Sequence, residues 1–221
     1  MKRILAVCAG LLMASSASAG PVNLVANGDF SAGNTGFTTD YTYHAPALGD
    51  HNLWDPGVYT VDTSALNNHA LWETGGDHTT GTGDFLLLNG HIDASKSLVW
   101  GTTLALSPGQ YLFGLFAKNL CCNTITSVLG PSLNFYVNHT LVGAVATDGP
   151  GVWLNTQYAF DAVGPTTVLE LRNSDIAYGG NDFGIDDISV TAVPAPEPMS
   201  LLLLGTGLLG VVRRARRVGA K

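Results

Sequence analysis

Six histidines, three cysteines and 17 acidic residues are the side chains here with the richest chemistry, and their spacing limits what they can do. His44, His51, His69, His78, His91 and His139 are scattered, with no H-E-x-x-H or H-x-H pair to bring two imidazoles onto one metal. No G-x-S-x-G elbow presents a nucleophilic serine. Gly81-Thr82-Gly83 lacks the lysine and the helix that a phosphate-cradling loop requires. Acids are numerous enough for the carboxylate pair of a glycoside hydrolase, but no spacing singles out a pair. Cys121 and Cys122 are neighbours, so they cannot form a C-x-x-C metal site. A vicinal disulfide, buried thiols and a bridge to another chain all remain open to them.

Binding chemistry is better supplied. Tyr41, Tyr43, Trp54, Tyr59 and Trp72 lie in the first third of the chain, where loops outweigh regular alternation. Rings carried on loops above a rigid frame are suited to stacking on sugar faces, with Asp and Asn fixing hydroxyls. Their other use is to pin those loops to the frame.

The elements that must hold these residues read as strands. Apolar alternation marks residues 22–26, 57–62, 84–89, 97–106, 110–117, 133–137, 141–146, 152–160, 166–172 and 183–191. Leu98, Trp100, Thr102, Leu104 and Leu106 share one face, as do Tyr111, Phe113 and Leu115. Ser107-Pro108-Gly109 and Asn138-His139-Thr140 supply turn chemistry between runs. Short strands at close spacing, with weak helical signal, predict an all-β domain over residues 20–192, an antiparallel β-sandwich. On the same alternation Asp186 falls in phase with Ile188 and Val190, the core-facing set, and Asp187 points to solvent. A buried carboxylate needs a partner, and backbone amides at the start of the strand would serve.

Both ends differ from this middle. Lys2 and Arg3 precede an apolar stretch, and Ala17-Ser18-Ala19 is an A-x-A cleavage site, so residues 1–19 read as a secretory signal peptide with Gly20 as the new N-terminus. At the other end, residues 199–212 form an apolar run of 14, followed by Arg213, Arg214, Arg216, Arg217 and Lys221. As a helix this run reaches about 21 Å, short for a bilayer core of about 30 Å unless flanking arginines snorkel to the interface. Between residues 20 and 198 only Lys96, Lys118 and Arg172 stand against all 17 acids, a balance of −14. Positive ends around an acidic exported middle fit the orientation rule for membrane insertion. That charge repels phosphate and excludes nucleic acid as a partner.

Pro196-Glu197-Pro198, the Leu- and Gly-rich run and the arginine cluster together resemble the PEP-CTERM sorting signal, covering residues 193–221 as PEP box, short transmembrane helix and basic tail. The prolines keep the segment beside Glu197 extended and open to a protease. The resemblance implies export by a Gram-negative bacterium that makes exopolysaccharide. It also implies transient anchoring in the inner membrane, recognition by an exosortase, and delivery to the cell surface or extracellular matrix.

Asn23-Leu24-Val25-Ala26-Asn27-Gly28-Asp29-Phe30 at the start of the domain and Ile185-Asp186-Asp187-Ile188-Ser189-Val190 at its end resemble the first and last strands of galactose-binding-like carbohydrate-binding jelly rolls. In that fold the opening loop and closing Asp often share a structural Ca2+; here Asp186, Asp29 and the Asn27 carbonyl are the matching positions, with Ser31 where relatives carry an acid. The expected function is non-catalytic: binding or organising extracellular polysaccharide in a biofilm. The alternatives are a purely structural surface protein and a glycoside hydrolase.

Overall fold

The computed structural model describes residues 21–46, 52–122, 130–147 and 149–194. The signal residues Ala17, Ala19 and Gly20 lie outside the described residues. So do Pro196, Glu197 and Pro198, the apolar run, and Arg213, Arg214, Arg216 and Arg217. Among the described residues no helix is long and apolar enough to cross a membrane.

Among the described residues ten strands form two sheets. The larger has the order β1 (Thr42–Tyr43), β2 (Val58–Asp62), β3 (Phe85–Asn89), β10 (Asp182–Ala192), β5 (Gly109–Asn119) and β8 (Trp153–Ala162). The smaller has the order β4 (Leu98–Leu104), β9 (Thr167–Asn173), β6 (Ser132–Val137) and β7 (Thr140–Ala146). From β3 onward the chain repeatedly changes sheets, a jelly-roll course, and all pairs except β1–β2 are antiparallel. One four-residue helix, α1 (Ala65–Asn68), interrupts the long β2–β3 connection.

The core between the sheets is the alternation made solid. Tyr111, Phe113, Leu115 and Ala117 of β5 meet Leu133, Phe135 and Val137 of β6 and Leu169 and Leu171 of β9. Buried aromatic and branched side chains of this kind contribute roughly 1.5–3 kcal/mol each. Asn138 and His139 both take positive φ, 49° and 63°, closing the β6–β7 hairpin as a two-residue turn whose twist matches its strands. A second core lies on the other face of the large sheet. Leu53, Ala65 and Trp72 of the long loops cover Val58, Phe85, Leu87 and Leu120 there.

Three expectations are corrected. Residues 22–26 form no strand, because a side chain makes the pairing. Asn23 accepts from the Val190 and Val25 amides through Oδ1, and donates from Nδ2 to the Ile188 carbonyl, while Leu24 N–H reaches Val190 O. In β4 a register shift between Leu98 and Trp100 breaks strict alternation, so Val99 and Trp100 are both buried. In β10 a bulge between Asp186 and Ser189 carries one extra residue, Asp187, at φ 49°. The bulge reverses the phase: Ile188 and Val190 enter the core, while Asp186, paired with Phe116, lies on the opposite, outer face.

Candidate functional site

The outer face of β8, β5 and β10 is where chemistry collects. With Tyr111, Phe113, Leu115 and Ala117 turned inward, the alternate residues project outward in rows set by register. One row is Asn155–Phe116–Asp186, the next Gln157–Gly114–Ser189, the next Ala159–Leu112–Thr191. Asn155, Gln157 and Ala159 are exposed, and Phe116, Ser189 and Thr191 are half-exposed. Gly114 lets the strands stay close, since a Cβ there would lie 2.9 Å from the Gln157 Cβ. A groove of about 600 Å³ runs between this face and the opening loop, lined by Asn27, Asp29, Phe116, Asp187, Ser189 and Thr191 among others.

A segment of the β2–β3 connection folds onto the outer face beside two groove residues, Phe116 and Asp187. The His78 ring stacks on Phe116 with centroids 3.4 Å apart and planes 16° apart. Its Nδ1 lies 2.7 Å from Asp187 Oδ2, which also accepts from the Thr79 hydroxyl at 2.7 Å. Asp187 is therefore held by its neighbours rather than directed freely into solvent. Asp77 anchors the turn by accepting from Thr80 N–H, the Thr80 hydroxyl and Gly83 N–H. Burial opposes its charge, yet those bonds hold its carboxyl below the usual range.

Beneath the segment lies a buried set of ionisable groups. Asp186 accepts from His78 N–H and Asp187 N–H, both at 2.8 Å, and burial pushes its carboxyl up to about 7. Lys118 donates to Gly76 O at 3.2 Å and lies over the Phe85 and Trp153 rings. Burial pushes Lys118 down to about 8. Asp182, beside β3, is pushed up to about 7 by burial. The pattern gave no warning of Lys118, because Phe116 and Lys118 sit in a strand whose other face is the core.

The five aromatic candidates divide. Tyr41, Tyr59 and Trp72 are buried and pin loops: Tyr41 Oη accepts from His91 N–H, Tyr59 Oη donates to Asn34, and Trp72 belongs to the second core. These three are not available to a ligand. Tyr43 and Trp54 are exposed. Trp54 lies against His69 with centroids 4.0 Å apart and planes tilted by 40°, and His69 stacks on Trp72 at 5.0 Å, so the exposed indole is backed by buried rings.

The positions matched to calcium have local partners. Asn27 donates to the Gly33 and Thr35 carbonyls and accepts from Ala32 N–H. Asp29 Oδ1 accepts from the amide and hydroxyl of Ser31. Asp186 takes its two amides under the His78 segment, while Asp29 faces the groove with Asp187. Among the described residues no group of three or more His, Cys, Asp or Glu is placed to hold a metal ion. Cys121 and Cys122 are joined by a disulfide at the end of β5, where Cys121 bridges to Trp72.

Comparison with known proteins separates the tail from the domain. Residues 194–217 match the PEP-CTERM protein-sorting motif. No curated protein matches the chain. A Stig cyclase, Fisc from Fischerella sp. TAU, is 15% identical with a TM-score of 0.50, the match covering 80% of this chain and 100% of the cyclase. The carbohydrate-binding module TmCBM61, solved with β-1,4-galactotriose, is 13% identical over 78% of this chain and 99% of its own, with a TM-score of 0.48. The CBM22-1–CBM22-2 tandem domain of Paenibacillus barcinonensis Xyn10C is 18% identical over 83% of this chain and 48% of its own, also at 0.48. At these identities the likeness concerns the fold alone.

Proposed function

We propose that this chain is an exported, non-catalytic surface protein, sorted by an exosortase, whose sandwich binds or organises extracellular polysaccharide. The PEP-CTERM motif implies an exosortase substrate, exported and sorted at a membrane to the cell surface. The ligand reading is carried by one observation: the open rows of Asn155, Gln157, Ser189 and Thr191 beside the Phe116 ring. Strand-borne amides and hydroxyls repeat every 4.7–4.9 Å or so across a sheet, and can meet the hydroxyls of an extended polymer. The Phe116 ring beside them, with His78 stacked on it, adds an apolar contact for the C–H groups of a sugar. Trp54 is an outlying stacking platform in the same reading.

The test is a glycan array probed with the full chain in a detergent that has no sugar headgroup, with and without calcium. Saturable binding is expected. It should weaken about 10- to 30-fold in the Asn155→Ala, Gln157→Ala double variant, the loss of two hydrogen bonds at roughly 1 kcal/mol each. Binding that the double variant leaves intact would move the site to Trp54. No binding on a broad array would leave a structural surface protein, and release of sugars from a polysaccharide panel would overturn the non-catalytic assignment.

A further inference from the structure

Strand register fixes which end of the sandwich carries the tail. β10 ends at Ala192, and Val193 N–H still donates to Gln110 O at 2.9 Å, so the fold holds the chain through residue 193. The apolar run begins at Met199. The six residues of travel between them reach about 20 Å at most. Whatever end of the domain surrounds Ala192 is therefore tethered within about 20 Å of the apolar run.

Register identifies that end. Gly109 pairs with Ala162, and Ala192 with Tyr111, which places the β4–β5 turn (105–108) and the β8–β9 turn (163–166) there. The β6–β7 turn joins them, since Asn138 N–H donates to Val168 O near the start of β9. The opening segment 21–24 arrives beside Val190. None of these segments contains Asp, Glu, Lys or Arg. The nearest carboxylates are Asp161, one residue inside the end of β8, and Glu170, which lies 3.2 Å from His139 Nδ1 and is also paired with Arg172. The links at the opposite end hold Asp93, Lys96 and Asp175, and the long loops over the large sheet hold Asp55, Glu73 and Asp77. In a domain this acidic, one end whose turns carry no acid is a departure that charge can recognise. The same end exposes aliphatic side chains: Val163 is 82% accessible, Val22 72% and Leu141 54%.

We propose that this end rests on the lipid bilayer surface while the chain is anchored, with Val22, Leu141 and Val163 entering the interfacial layer. The inference goes beyond glycan binding and does not depend on it; it rests on the membrane-associated sorting that the tail implies. A surface carrying anionic headgroups repels carboxylates, so the end whose turns carry no acid is the one it admits. Three aliphatic side chains give weak affinity by themselves, but a short tether raises their effective concentration at the surface. The strands then stand along the membrane normal, and the groove on the outer face opens sideways.

The test uses the full chain reconstituted in liposomes, in a Cys8→Ser background. Single cysteines at Val22→Cys, Val163→Cys and, at the far end, Ile92→Cys carry an environment-sensitive fluorophore, and the lipids carry a nitroxide at headgroup depth. Quenching and a blue shift are expected at 22 and 163 and absent at 92. Adding Val163→Asp to the Val22 reporter should reduce its quenching; Val163 is exposed, so this substitution does not perturb the core. Absence of quenching at 22 and 163, or equal quenching at all three positions, overturns the proposal. So does a chain that fails to float with the liposomes, which removes the tether while leaving glycan binding to be judged separately. A membrane protein in place of lipid as the partner would also leave the reporters unquenched.

Discussion

Lys118 offers a sharp test of the buried charge set. It is 2% exposed, with one hydrogen bond to Gly76 O and its Nζ 4.4 Å and 4.9 Å from the Trp153 and Phe85 centroids. Burial pushes its ammonium from 10.5 down to about 8, against the attraction of Asp186, Glu73 and Asp77. Between those values the unfolded chain holds a proton that the folded chain has released, so stability rises with pH. From pH 8 to 9.5 the rise is roughly 2 kcal/mol, at about 1.4 kcal/mol per unit with partial titration at the lower limit. For a domain of this size that corresponds to about 4–8 °C in Tm. Lys118→Met keeps an unbranched stem on the two rings and removes the titration. Thermal unfolding followed by circular dichroism at fixed ionic strength should show the parent gaining stability relative to the variant across pH 8–9.5. The window stops there because burial raises Tyr41 and Tyr59, whose titration lowers stability once unfolded tyrosines ionise. Parallel Tm curves for the two proteins would refute a strained buried ammonium.

Other outcomes follow from the same geometry. Asp182, pushed up to about 7 by burial, keeps a proton that the unfolded chain loses near pH 4, so stability falls as pH rises between those values. Asp182→Asn should flatten that fall in urea unfolding at pH 5 and pH 7.5. Trp72→Ala should cost about 3–5 kcal/mol as a fully buried ring, whereas Trp54→Ala should change stability by less than about 0.5 kcal/mol. Gly28→Ala should destabilise by about 1–3 kcal/mol, because a Cβ there would stand 2.0 Å from Ile188 O and force the opening segment off β10. Calcium addition or EDTA should leave Tm unchanged, since both Asp186 oxygens already accept amides; a rise with calcium would show an ion shared between the opening loop and β10.

Strands were legible where a strand buries one face and exposes the other. β5, β6 and β9 show this, with Phe113, Phe135 and Leu171 at alternating positions. Their period of two follows directly from backbone geometry. The failures have two physical sources. One is bulges: a single extra residue at Asp187 moves Asp186 to the opposite face, and no residue type in Ile185-Asp186-Asp187-Ile188 announces it. The other is the long loops, where composition does not distinguish a ring that binds from a ring that pins. Trp54 and Trp72 have similar polar surroundings in sequence, yet one is exposed and the other buried over Phe85 and Leu87. Asn155 and Gln157 were missed for a related reason. Outward polar residues on an edge strand read as ordinary solvent-facing positions until register places them beside Phe116.

The division between fold and tail bears on release. Among the described residues, Val190 is the last of the main core, and Val193 is the last tied to a strand by a backbone bond. Glu197 lies four residues beyond that bond and seven beyond the core. A cut near Glu197 therefore leaves in place every buried side chain and sheet hydrogen bond of the described residues. It removes the tether, and with it the effective concentration that holds this end against lipid. Free of the membrane, the same domain keeps its groove and carries an acid balance that opposes binding to anionic surfaces. Anchored and released forms should thus share one unfolding transition while differing in lipid association. A lower Tm in the released form would mean that residues beyond Val193 take part in the fold.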